Sequence, residues 1–269
     1  MIDLWDLKTL SAATLVIINH NAELIRDYFA REASIIDFRR TSTLRDVIPT
    51  NEFRDRVMEL EAEVETSIMG DTIRSFHYTR MTDDEVRAIQ SHGILMTSLP
   101  MFRAKLDAIV AAGRMTQTVS EHVYNNSALV TGDYGERVGT FWATAHPCAI
   151  NDSGITPFLE SWGGEISRWA VEDEAVLENL RVLGKPRVIE LAIPIALTGW
   201  VVARLAQQII AVKGHEPRLP GGFGADICIR QPLPPANILR VLTEGDPHFA
   251  SLGRRYPLTY AERMCDEEE

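Results

Sequence analysis

The chain has 269 residues (30.1 kDa), 45% of them hydrophobic and 24% charged, which excludes a disordered chain, a collagen and a disulfide-stapled miniprotein and leaves room for one large domain or a domain with an extension. Its 27 Lys+Arg stand against 38 Asp+Glu, a net charge of -11, so a nucleic acid has to be met by a local basic site and not by the overall field. Cys148, Cys228 and Cys265 have no CxxC spacing, no apolar run nears the ~20 residues of a membrane span, and Asp3 and Asp6 stand where a signal peptide is basic; the expectation is a cytoplasmic chain without a disulfide framework, a zinc ribbon or a membrane partner.

Residues 11–32 read as helix, with Leu15, Ile18, Leu24, Ile25 and Phe29 as apolar candidates, and Pro49 breaks the stretch before the next helix. From Glu52, the residues Phe53, Val57, Leu60, Val64 and Ile68 recur at helical steps, with Glu59, Glu61, Glu63 and Glu65 mostly off the stripe; this predicts an amphipathic helix ending near Gly70. Ile73–Arg80 is short and rich in β-branched and aromatic residues, as a strand should be. Thr82 and Glu85 have the spacing of a capping box, Val86 and Ile89 supply a stripe, and Gly93 closes the helix before a second strand at 93–98. Helices are expected at Pro100–Gly113 and from Thr116 to about Leu129, and a strand at Val138–Thr144. Thr156-Pro157 opens a short helix carrying Phe158, Leu159 and Trp162.

A helix at 171–183 is closed by Gly184, and Arg187–Pro194 reads as an inner strand. The segment 199–212 has a helical reading weakened by Val201 and Val202, and 214–224 reads as a loop. Two more strands are expected at Asp226–Arg230 and Ile238–Thr243, separated by Pro232, Pro234 and Pro235. Without regular βαβ alternation the fold class is α+β, and the expected divisions are a helical extension at 1–70, a core at 71–245 and a fraying acidic tail at 246–269.

GxxxxGK[ST], GxGxxG after a strand, HExxH, GxSxG and EF-hand loops do not occur, which argues against most nucleoside triphosphatases, zincins and α/β-hydrolases, and the spacing of the seven histidines suggests no metal site. The notable unit is 76–98. By alternation, Ile73, Ser75, His77 and Thr79 share one face of the strand, and Arg74, Phe76, Tyr78 and Arg80 the other. A strand histidine commonly does no more than bond a neighbouring carbonyl, but His77 stands at a strand end beside hydroxyl groups. The second notable string is Glu160–Glu165 (ESWGGE), where paired glycines permit a close backbone approach. It reads either as a helix end with a core tryptophan or as a loop presenting Glu165 to the cleft of His77.

His77-Tyr78-Thr79, the capped helix and Gly93-Ile94-Leu95 resemble the first strand–helix–turn unit of the ADP-ribosyltransferase superfamily, in the branch of poly(ADP-ribose) polymerases and DarT-type toxins. Gly139–Thr144 is similar to the family's glycine–aromatic strand beside the nicotinamide pocket, Arg187–Pro194 to an inner strand, and Asp226–Arg230 with Ile238–Val241 to the last two strands. The resemblance spans about 73–243. It implies a split, mixed or antiparallel sheet and NAD as a substrate, with no metal. It further implies that His77 bonds a ribose hydroxyl, that Tyr78, Phe141 or Trp142 stacks on nicotinamide, and that Thr79 and Arg80 reach ribose or pyrophosphate oxygens. Arg80 has an equal reading as a surface partner of Asp83 or Asp84.

The family's catalytic glutamate position holds Asp226 here. Asp226 acts at shorter reach, Glu165 supplies the carboxylate, or transferase chemistry is lost. Cleavage of the nicotinamide–ribose bond develops oxocarbenium character that a nearby carboxylate stabilises. The expectation is an ADP-ribosyltransferase acting on RNA, DNA or protein as a bacterial toxin or anti-phage effector, with an antitoxin or regulator as a further partner. The alternative is a non-enzymatic nucleotide- or protein-binding module of the same fold.

Overall fold

The computed structural model describes residues 1–4, 6–43, 47–132, 137–168, 171, 173–214 and 225–253. In chain order these form α1 (Ala12–His20), α2 (Ala22–Thr41), α3 (Arg54–Ile68), β1 (Thr72–Met81), α4 (Asp83–His92), α5 (Leu99–Ala111), α6 (Gln117–Asn125), α7 (Ala128–Thr131), β2 (Phe141–Thr144), α8 (Thr156–Glu160) and α9 (Glu165–Arg168). After them come α10 (Glu174–Val182), β3 (Lys185–Pro194), α11 (Val201–Lys213), β4 (Asp226–Ile229), β5 (Ile238–Thr243) and α12 (Pro247–Ser251). The class is α+β. The loop read at 214–224, beyond Gly214, and the tail from 254 with Cys265 lie outside the described residues.

The chain divides into two compact units, Met1–Ile73 with Pro194–Ala225, and Arg74–Ile193 with the residues from Asp226 onward. The first is helical. Of the stripe expected of α3, Val57, Leu60, Val64 and Ile68 are all buried, while Phe53 precedes the helix as its N-cap and is half-buried, and α3 packs on α1, α2 and α11. The helix expected at 11–32 is two: Ser11 caps α1, whose last turn closes at Asn21, and α2 then runs on to Thr41 because Ile35 extends the buried stripe of Leu24 and Ile25. Helix α11 forms despite its adjacent valines. Val201, Val202, Leu205, Ala206, Ile209 and Ile210 are all buried, and that burial outweighs a propensity penalty of a few tenths of a kcal/mol per residue. Residues 194–225 thus belong with the helical N-terminus, whereas the sequence reading ran the second domain unbroken from 71 to 245.

The second unit holds a five-stranded sheet of order β4-β2-β1-β3-β5. Pairings β1–β2, β2–β4 and β3–β5 are antiparallel. Strands β1 and β3 also run in opposite directions: Arg74 near the start of β1 bonds Glu190, while Met81 at its end lies against Gly184 just before β3. One core packs Phe76 and Tyr78 of β1 with Val188, Leu242, Leu159 and Phe249. A second gathers Phe102, Leu106, Val123, Trp162 and Leu180. Glu190, buried in β3, is held between Arg74 (2.6 Å) and Arg240.

Local boundaries differ from expectation where tertiary partners intervene. The strand expected at 93–98 is an extended segment with a single bridge, Ile94 to Leu233, and a bond from Thr97 N–H to the Thr140 carbonyl. The strand expected from Val138 begins at Phe141, after Gly139 turns at φ 72°. The helix expected from Thr116 to Leu129 breaks between α6 and α7, where Asn126 closes the first and Ser127 precedes the second.

Candidate functional site

The capping box predicted at Thr82 is present, and its glutamate does more than cap. Oε2 of Glu85 accepts from Thr82 N–H (2.9 Å), Thr82 Oγ1 (3.0 Å) and the indole Nε1 of Trp162 (2.8 Å), and Lys105 Nζ lies 3.4 Å from its other oxygen. Gly93 at the far end of α4 has φ 81°, and a Cβ there would lie 2.0 Å from the Leu233 carbonyl oxygen, so both backbone conformation and packing require glycine. Arg187 bonds Asp83, the Met81 carbonyl (3.3 Å) and Thr243 Oγ1 (2.9 Å), tying the strand–helix junction after β1 to the far side of the sheet.

His77 is in the middle of β1, where that strand meets β2, and not at the strand end expected from the sequence. The two strands pair at Phe76 and Thr144, and Nδ1 of His77 lies 2.7 Å from the carbonyl of Trp142. A carbonyl only accepts, so Nδ1 carries the hydrogen and Nε2 keeps its lone pair. The half-buried imidazole lies 4.5 Å, centroid to centroid, from the ring of Phe141. Desolvation, with smaller contributions from Lys105 and Arg137, lowers its pKa to about 4, so it is neutral at physiological pH. The bond is the one expected of a strand histidine held by a neighbouring carbonyl, and it fixes the tautomer that leaves an acceptor at Nε2.

The register sorts the other candidates. Phe76, Thr144 and Asp226 form one cross-strand row and share a face, which puts the neighbouring His77 on the opposite face. By the same alternation Phe141 is on His77's face and Trp142 on that of Asp226, a choice that sequence alternation left open. Asp226 stands exposed at the start of the edge strand β4. Partial desolvation raises its pKa and the charge of Arg137 acts the other way.

Tyr78 belongs to the core. It is 5% exposed, and its hydroxyl donates to the Cys148 carbonyl (3.0 Å) and accepts from the Cys148 N–H (2.6 Å). Arg80 meets neither Asp83 nor Asp84; it donates to the carbonyls of Leu183 (3.1 Å) and Leu159 (3.4 Å). Thr79 is half-buried, two residues beyond His77 on the same face.

Glu165 opens α9 directly after the two glycines, and the expected core tryptophan is present. Trp162 is 1% exposed within the core, while Gly163 and Gly164 take φ of 77° and 56°. A Cβ on Gly163 would lie 1.9 Å from Ser167 Oγ. The turn presents Glu165 to Arg137, Nη2 to Oε2 2.7 Å, with the two side chains 18% and 25% exposed. The Arg137 guanidinium also lies 4.6 Å from the centre of the Trp142 ring. Trp142 therefore joins the halves of the site, its carbonyl holding His77 and its ring carrying Arg137.

Sequence reasoning missed Arg137, the cation that acts on His77, Glu165 and Asp226 alike. Its only sequence signal is an arginine in the glycine-punctuated approach to an aromatic strand. Among the described residues no group of three or more His, Cys, Asp and Glu side chains is assembled as a metal site. No helix of the described residues is long and apolar enough to cross a membrane. Comparison with protein-family models, curated proteins and solved structures gives no match.

Proposed function

We propose that the protein is an NAD-dependent ADP-ribosyltransferase with a macromolecular acceptor, acting through His77, Phe141, Arg137 and Glu165. The observation that carries this reading is the state of His77: a neutral imidazole, its tautomer set by the Trp142 carbonyl, with one aromatic ring alongside and a carboxylate–guanidinium pair attached through the same tryptophan. In this arrangement Nε2 accepts from a ribose hydroxyl and Phe141 packs on the nicotinamide ring. Glu165 stabilises positive charge at the anomeric carbon as the bond to nicotinamide lengthens. The bonding pair leaves with nicotinamide, and an acceptor oxygen or nitrogen attacks the anomeric carbon and gives up its proton to solvent water.

The Trp142 ring that carries Arg137 is on the face of Asp226, so strand register does not choose between the two carboxylates; Glu165 is taken for its partly buried pairing with Arg137. A role as toxin or defence effector, and an antitoxin or other regulatory partner, belong to the same proposal. The acidic chain takes a nucleic-acid acceptor only through a local site.

The test is incubation of the full chain with NAD labelled in its adenylate half, following nicotinamide release and label in protein, RNA and DNA separately. Release with transfer to one class supports the reading, and His77→Ala abolishes it without loss of the native circular dichroism. A second reading, a nucleotide-binding module without chemistry, is favoured by the Arg137–Glu165 pair, because a carboxylate already matched by a guanidinium stabilises a second cation poorly. NAD binding without nicotinamide release selects that reading.

A further inference from the structure

The same pair that weakens Glu165 as a catalytic group also suggests how it is released. Arg137 lies on the ring of Trp142, whose carbonyl holds His77, and pairs with Glu165 at 2.7 Å. Both side chains keep a minor but real exposure, 25% and 18%, so an incoming group can reach them. The charges that act on His77 are Lys105 and Arg137, both cations, in a chain of net charge -11. Each of these cations has a carboxylate partner, Glu85 at 3.4 Å for Lys105 and Glu165 for Arg137. A guanidinium has five N–H donors in a planar fork, more than one carboxylate uses, and that fork matches phosphate oxygens.

We propose that Arg137 is an exchangeable counter-ion: it holds Glu165 as seen here and turns to the phosphates of a pyrophosphate-bearing ligand, leaving the Glu165 carboxylate unpaired beside the ribose. The inference rests on the transferase reading for the identity of the ligand, while its anion site stands on the side chains themselves. It requires only rotation about the torsions of Arg137, and it couples substrate binding to catalytic readiness, since a ligand without phosphate leaves the carboxylate neutralised. It also makes Glu165 a competitor of the ligand. Loss of the Glu165 charge tightens pyrophosphate binding even as it stops the reaction, an outcome that a purely structural ion pair does not produce.

The test measures binding to the full chain by calorimetry, using ADP-ribose, nicotinamide riboside and inorganic pyrophosphate as probes, in the unmodified protein, Arg137→Gln, Arg137→Lys and Glu165→Gln. The expected result is that Arg137→Gln weakens ADP-ribose and pyrophosphate at least about tenfold and leaves nicotinamide riboside unchanged, that Arg137→Lys recovers part of the loss, and that Glu165→Gln tightens both phosphates. Thermal melts establish that each variant is folded, and Arg137→Lys keeps the charge in place should Arg137→Gln fail to fold. Equal ADP-ribose affinity in the unmodified protein and Arg137→Gln, or weaker binding in Glu165→Gln, overturns the exchange while the transferase reading stands. Arginine-dependent binding of pyrophosphate without binding of ADP-ribose or nicotinamide riboside keeps the anion site and removes the transferase reading. Binding of none of the three removes both.

Discussion

The indole N–H of Trp162 donates to Glu85 Oε2 at 2.8 Å, joining the two most distinctive strings of the sequence, Thr82–Glu85 and Trp162–Glu165, in one contact. The bond explains why each string is as it is. Glu85 is at the third position of a capping box and has an oxygen aimed back past Thr82, while Trp162 buries its ring in the helical core and needs an acceptor for its only polar atom. The turn after Trp162 then places Glu165 against Arg137.

Replacing Glu85 therefore removes a cap and strands a buried donor together. Glu85→Ala is expected to cost about 2–4 kcal/mol, the cap and the unpaired indole each contributing, while Glu85→Gln keeps an acceptor and costs less. Urea unfolding of the three proteins checks this, and equal losses for the two variants contradict the assignment.

Two histidines shape the acid response. His77 and His146 both have pKa values lowered from 6.5 to about 4, in each case chiefly by desolvation. Unfolded, each takes its proton near 6.5, so below that pH the unfolded state binds up to two more protons than the native state. Their contribution to stability is complete above about pH 6.5 and declines as the pH falls toward 4. Denaturation midpoints measured across this range are expected to drop, and His77→Asn flattens part of the slope. Nicotinamide release that depends on neutral His77 is insensitive to its titration between pH 6 and 8.

At lower pH the Arg74–Glu190–Arg240 cluster gives way. Burial pushes the Glu190 carboxyl up, but hydrogen bonds from Arg74 and Arg240 outweigh it and leave the pKa below 4.5. Its contribution is present above the unfolded value and is lost as pH falls through the folded one. Glu190→Ala removes the carboxylate that the two arginines share and is expected to cost about 3–5 kcal/mol, whereas a triple apolar replacement of all three recovers most of it. Chemical denaturation of the single and triple variants at neutral pH decides between these outcomes.

Gln208, fully buried on α11, has neither its amide nitrogen nor its amide oxygen bonded among the described residues. Gln208→Met keeps the length of the side chain and removes both unsatisfied atoms, with an expected gain of about 1–2 kcal/mol and a higher melting temperature. A loss of stability shows instead that the amide has a partner in the folded chain.

The carboxylate is the remaining discriminating variable. Glu165→Gln is expected to lower nicotinamide release about 100-fold or more, and Asp226→Asn to leave it essentially unchanged. Steady-state rates for the two variants read this directly, and the reverse order assigns the chemistry to the β4 row.

Features held by near neighbours in the chain were legible: the stripe of α3, the capping box at Thr82 and the α+β class. His77 was singled out as a residue at a strand end before a capped helix; the capped helix is present, but β1 runs on to Met81 and His77 is in its middle. The place of Tyr78 was not legible. Only the fold shows that its hydroxyl is bonded to both the N–H and the carbonyl of Cys148 and that its ring belongs to the core. Arg80 was misjudged for the same reason, since its partners are main-chain carbonyls of segments far along the chain.

By itself, then, the sequence determined the α+β class, the stripe of α3 and the pairing of Thr82 with Glu85, because these depend on periodicity and on contacts a few residues apart. Tertiary structure alone decided that Asp226 and His77 lie on opposite faces, that Phe141 rather than Trp142 meets the imidazole, and that Arg137 holds Glu165. Strand register is set by pairing between distant segments, and a shift of one residue exchanges the faces, so no local pattern in the chain encodes which side chains share a face with the histidine.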